Sequence, residues 1–245
     1  MGWKFLVFVL AVCLISLISF SFVSAIDCSS ISGCSQVGND LVCQFGSTGA
    51  EDGSLSQQGS TWAYYGELRS GCDTTTKYEA YYKIKSLVGL PTNPSSVRLE
   101  LWDYRKGIAV TGNEYYISEV DESWSESTLE TSQRFLNTKP SQININYLGL
   151  NNWDYVDITP FYNNWESANN GLAIKSDADC SADFVTWWRD SDYTASFGTM
   201  IPKLIFSGVC TDAEEDGEEG ISSEDETEFS IESGSICKES GWIWL

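Results

Sequence analysis

The 245-residue chain carries 35 acidic against 14 basic side chains, a formal charge of −21, and 42% hydrophobic residues, enough apolar material for a core that folds unaided. So large an acidic excess repels polyanions, which sets nucleic acid and anionic membrane surfaces aside as partners. Histidine is absent, which excludes Ser-His-Asp and Cys-His nucleophiles and His-ligated metals and leaves carboxylate, Tyr, Lys and Arg chemistry.

Residues 1–25 read as a secretory signal: Lys4, an apolar run over 5–22, and the small-residue end Val23-Ser24-Ala25. The run is about 18 residues long, so an uncleaved membrane anchor is the alternative; Ser16, Ser19 and Ser21 weaken it. The expected address is extracellular, secreted or on the cell surface. Loss of Cys13 with the signal leaves Cys28, Cys34, Cys43, Cys72, Cys180, Cys210 and Cys237, which in an exported chain read as disulfides. No Cys-x-x-Cys pair occurs, so a zinc ribbon or thioredoxin-like motif has no support. Cys237, in a polar tail, is the expected unpaired one. Six cysteines allow about 15 connectivities; the strand positions point to Cys43–Cys210, Cys72–Cys180 and Cys28–Cys34.

Residues 26–44 are polar and cysteine-dense, a stapled lead-in without a core of its own. From 45 to 210 short aromatic and β-branched runs alternate with Gly, Asn, Pro and Ser clusters. Strands are predicted at 78–84, 96–103, 114–120, 142–148, 154–158, 171–175, 184–189 and 202–206, with apolar side chains two residues apart as a half-buried sheet requires. Many short strands with almost no helical periodicity argue an all-β sandwich. One short helix is expected over 159–165, capped by Thr159 with Pro160 in its first turn. Residues 211–245 hold twelve acidic residues and one lysine, too little apolar surface to fold alone, so a disordered acidic tail is expected. It ends in Gly241-Trp-Ile-Trp-Leu245, an apolar break in that pattern.

The order of motifs over 45–210 resembles the DNRLRE (disaggregatase-related) domain, which overlaps carbohydrate-binding module family 96. Tyr64-Tyr-Gly-Glu-Leu-Arg-Ser-Gly71, Lys77-Tyr-Glu-Ala-Tyr-Tyr-Lys-Ile84 and the stretch ending Leu99-Glu-Leu-Trp102 are similar to that family's turn and strands. Trp124-Ser-Glu-Ser-Thr-Leu129, followed by Pro140, is the most specific piece; Val156-Asp-Ile-Thr159, Trp165, Asn170-Gly-Leu172 and Ile201-Pro-Lys-Leu-Ile-Phe206 follow in order. Leu129-Glu130-Thr131 stands where the family commonly has Thr-Trp, and Glu79 interrupts its Arg-rich strand. The resemblance implies a jelly-roll β-sandwich, secreted or displayed at the surface, that engages polysaccharide.

Among the aromatic residues, Trp124 and Trp165 are expected in the core. Neighbouring strand residues point to opposite faces, so one of Trp187 and Trp188, one of Tyr115 and Tyr116, and one of Tyr81 and Tyr82 should be exposed. Trp187, Trp188, Trp102, Tyr104, Tyr115 and Tyr116 are the candidates for a sugar-stacking surface. Asp177, Asp179 and Asp183, with Asp190 and Asp192 beyond, have hard oxygen ligands at a spacing that suits Ca²⁺, though a solvated acidic loop is the alternative. Asp157 reads as a turn residue. A glycosidase needs two facing carboxylates; Glu119, Asp121, Glu122 and Glu126 are available, but nothing in their spacing selects a pair. A lyase would want a basic trough that 14 cations do not supply. The expectation is a non-catalytic binder of neutral or cationic glycans, with a structural or adhesive envelope protein as the rival.

Overall fold

The computed structural model describes residues 28–111, 114–165, 169–178, 180–193 and 200–210. The signal segment, Asp179, Cys237 and the acidic tail lie outside the described residues. Thirteen strands run in chain order: β1 (Cys34–Val37), β2 (Asp40–Gln44), β3 (Ala50–Gln58), β4 (Thr61–Tyr65), β5 (Leu68–Cys72), β6 (Lys77–Ile84), β7 (Val97–Lys106), β8 (Tyr115–Val120), β9 (Thr138–Asn144), β10 (Trp153–Asp157), β11 (Leu172–Ser176), β12 (Thr186–Trp188) and β13 (Lys203–Phe206). Among the described residues every strand pairing is antiparallel, and the fold is all-β as expected. One sheet has the order β1-β2-β13-β7-β10 and the other β4-β3-β6-β11-β8-β9. Strands β5 and β12 pair with each other, and also with β6 and β7 respectively, joining the two sheets.

Alternation decides what lies between the layers. On β7, Val97, Leu99, Leu101 and Asp103 are buried, while Arg98, Glu100, Trp102 and Tyr104 point out. Leu41, Leu99, Leu204 and Phe206 from the first sheet share one core with Ala80, Tyr82, Ile117, Leu172 and Ile174 from the second. A smaller cluster lies on the opposite face of the second sheet, where Leu55, Tyr81 and Ala173 are covered by Trp124, Leu129 and Leu136. Tyr81 and Tyr82 are therefore both buried, at 0% and 1% exposure. The expectation that one of them faces solvent fails because both faces of this sheet are covered.

That cover contains a helix absent from the sequence reading, α1 (Glu126–Glu130), held by a capping box: the Thr128 amide donates to the Ser125 hydroxyl and the Ser125 amide to Thr128 Oγ1. The expected helix forms as α2 (Thr159–Tyr162), so the described residues hold two short α-helices where one was predicted. Thr159 does not cap it. Its hydroxyl accepts the Val97 amide at 2.8 Å, while Asp157 accepts the Thr159 amide at 2.9 Å as a turn residue.

The lead-in is part of the sandwich. β1 and β2 form a hairpin around Gly38 (φ +60°), and β2 pairs with β13, with Leu41 at 0% exposure. This register corrects two of the three expected disulfides. Cys34 and Cys43 face each other across the hairpin with Cα atoms 4.0 Å apart and are bonded; Cys28 is left to Cys210. Cys72–Cys180 is present as expected. Three disulfides fit folding in an oxidising compartment. Among the described residues, no helix is long and apolar enough to cross a membrane.

Candidate functional site

The outer face of the β1-β2-β13-β7-β10 sheet gathers rings and cations. Register sets Trp153 of β10 opposite Trp102 of β7, and their rings meet edge to face, 5.3 Å between centroids. Lys203 Nζ lies 3.5 Å from the Trp153 ring centre and 3.8 Å from Glu100. Burial, set against the attraction of Glu100, leaves the Lys203 ammonium below its ordinary pKa. Arg98 pairs with Glu100 at 2.8 Å and lies over Tyr155 at 5.6 Å. Further along, the Arg189 guanidinium is held between Tyr104 and Tyr193, 3.7 Å from each ring centre. Arg105 covers Trp187 at 4.6 Å, and across the β5–β12 pairing Arg69 covers Tyr65 at 4.0 Å and bonds Glu67 at 2.6 Å. Burial opposes ionisation of Glu67, but hydrogen bonds from Arg69 and Tyr104 outweigh it and keep its pKa low.

Of the six residues expected to stack on sugar, Trp102, Tyr104 and Trp187 are half-buried on this side. Tyr116 is opposite Lys175 on the outer face of the other sheet, away from them. Trp188 and Tyr115 are corrections: they are 0% and 1% exposed and meet edge to face in the core, 5.4 Å between centroids. Their polar atoms find partners there. Trp188 Nε1 donates to Asp154 at 2.7 Å, and the Thr186 hydroxyl donates to Tyr115 Oη at 2.9 Å.

Sequence reading missed Trp153, Tyr155, Arg105, Arg189 and Lys203. A signal was present: the tripeptide Trp-Asp-Tyr occurs at 102–104 and again at 153–155. In the pleat each copy turns its two rings outward and its aspartate inward. The inward aspartates lie beneath the platform. Asp103 accepts the Tyr147 hydroxyl at 2.7 Å and Asp154 the Leu148 amide at 2.7 Å, and burial pushes each pKa up to about 6.

Asp177 is exposed, and its amide donates to the Glu114 carbonyl. Asp183 accepts the Val185 amide at 3.2 Å. Among the described residues, no three Asp, Glu or Cys side chains converge to hold a metal ion. The carboxylates considered for hydrolysis are separately engaged: Glu126 accepts the Tyr64 hydroxyl, Glu119 pairs with Lys139 and Glu122 with Arg134. Trp124 and Trp165 are buried; Trp124 Nε1 donates to the Asn170 carbonyl at 2.6 Å, which joins two of the motifs behind the family resemblance.

These features define a disulfide-stapled, antiparallel β-sandwich with an aromatic and cationic outer face. No family model and no curated protein matches the chain.

Proposed function

We propose that this is the non-catalytic, glycan-binding domain of an exported protein, secreted or retained at the cell surface, and that polysaccharide lies across the outer face of β7 and β10. The observation that carries the reading is the Trp102–Trp153 pair with Tyr104 and Tyr155 on the same face, rings presented by adjacent strands of one rigid sheet. Indole and phenol faces stack on the C–H face of a pyranose at small desolvation cost. The signal-like leader, the disulfides and the resemblance in motif order support the same reading. The net charge of −21 argued for neutral or cationic sugars. The face itself carries Arg69, Arg98, Arg105, Arg189 and Lys203 against Glu67, Glu100 and Asp157, so its local charge does not share the acidic excess of the whole chain.

One observation favours the rival reading, a structural or adhesive envelope unit. Cations already cover rings of this face: Lys203 on Trp153, Arg189 on Tyr104 and Arg105 on Trp187. A glycan array probed with the exported chain, with and without a chelator, separates the two. Retention on at least one polysaccharide that Trp153→Ala weakens supports binding. No retention on any sugar retires it in favour of the structural reading. Loss with the chelator would point to a bound calcium, for which Asp177, Asp179 and Asp183 are the expected ligands.

A further inference from the structure

Away from the outer face, a groove of about 690 Å³ opens between the segment after Cys28, the β2–β3 loop and the β6–β7 connection. Its walls are fixed. Both ends of the first are tied covalently, Cys28 to Cys210 and Cys34 to Cys43. The Gly33 carbonyl accepts the Gln44 amide at 2.8 Å, joining the first wall to the second. The Gly49 carbonyl accepts the Lys85 amide at 2.9 Å, and Lys85 Nζ donates to the Ser47 carbonyl, joining the second to the third.

The lining has a definite chemistry. Half-buried Phe45 supplies a ring, flanked by the backbones of Gly33 and Gly49; a Cβ on either glycine would come within 3.3 Å of that side chain. The exposed hydroxyls of Ser30, Ser32, Thr48, Ser86 and Thr92 form the rim. None of the lining residues is acidic, and Lys85, already committed to Ser47, is the single charged one. A cation finds no counter-charge here, and an anion finds only an ammonium already committed to a carbonyl. The side chains of Ile31, Val88, Leu90 and Pro91 line it as well, so the groove joins a ring and apolar contacts to neutral hydroxyls and glycine backbone, which suits a neutral ligand with both apolar C–H faces and hydroxyls, such as a saccharide.

We infer that this groove is a second binding site, specific for a neutral saccharide, and that it takes a chain end or a free mono- or disaccharide. The platform is one face of a sheet; the groove is a concavity between three chain segments. It stands independently of the platform reading, and the two fail separately.

The test is a titration of the exported chain with cellobiose, maltose, lactose and diacetylchitobiose, with glucuronate as the charged control, followed by amide NMR. The expected result is saturable shifts at the Gly33, Gly46 and Gly49 amides with at least one neutral sugar, undiminished in Trp153→Ala. Ser32→Trp, at an exposed rim position that leaves the core alone, should weaken binding at least about tenfold. The inference is overturned if none of the neutral sugars shifts these amides at tens of millimolar, if glucuronate alone does, or if Ser32→Trp leaves the shifts unchanged. Binding lost only in Trp153→Ala, with silent groove amides, would leave the platform standing and remove the groove.

Discussion

The indole Nε1 of Trp188 donates to Oδ2 of Asp154 at 2.7 Å, both groups fully buried, so one side chain fills the core and also satisfies a carboxyl there. Trp188→Ala would remove the largest fully buried side chain among the described residues and leave Asp154 Oδ2 without its indole partner. The expected cost is roughly 3–5 kcal/mol. Trp153→Ala, on the half-buried outer face, should cost well under half of that. Urea unfolding of the two variants checks the order; equal losses would mean that Trp153 is as structural as Trp188.

Stability should fall as pH rises from mildly acidic values through neutrality. Burial raises Asp103 and Asp154 to about 6 and Asp52 to about 7 from an ordinary 3.8, so the folded chain holds these protons more tightly than the unfolded one. Their contribution is complete below about pH 4 and is lost as pH climbs through 6 and 7. Glu67, Asp73 and Glu122 are shifted down and act in the opposite sense, losing their contribution as pH falls below the usual carboxylate range. The melting temperature should therefore peak in the mildly acidic range. Asp52 accepts the Ser191 amide at 2.6 Å and is opposed by Asp190 and Asp192. Asp52→Asn should flatten the decline around neutrality; an unchanged pH profile would show that Asp52 is not its source.

The disulfides should differ in weight. Cys28–Cys210 spans 182 residues and Cys34–Cys43 only 9. Loop-closure entropy assigns them roughly 5 and 2.5 kcal/mol. Replacing Cys28 and Cys210 together by Ala should lower the urea midpoint further than replacing Cys34 and Cys43, and the reverse order would count against the pairing.

Gly71 has φ +115°, and a Cβ there would lie 2.1 Å from the Phe184 carbonyl oxygen. Gly71→Ala must push apart the segments that join the sheets, at a cost of at least about 2 kcal/mol. Retention of wild-type stability would mean that the β5–β12 junction is looser than described.

Strand periodicity was legible where strands alternate apolar with polar, as in Val97-Arg-Leu-Glu-Leu-Trp102. It was silent for β3, where buried Asp52, Ser54 and Ser56 stand in place of apolar residues and no strand was predicted. Asp52 and Ser54 are inside because partners elsewhere in the chain satisfy them: the Ser191 amide donates to Asp52, the Arg69 amide donates to the Ser54 hydroxyl, and that hydroxyl donates to the Glu67 carbonyl. Such partners are remote in the chain and leave no local signal. The Ser125–Thr128 capping box was written locally and went unread.

By itself the sequence determined the layered β class, the oxidising address implied by its cysteines, and the absence of imidazole chemistry, because composition and period-two alternation are local properties. Only the tertiary structure decided which ring of each neighbouring pair is covered, which cysteines meet, and that Trp102 and Trp153 share a face with Lys203 and Arg98. Those outcomes depend on strand register and on what packs over each face, and register between segments fifty or more residues apart is fixed by the whole core at once.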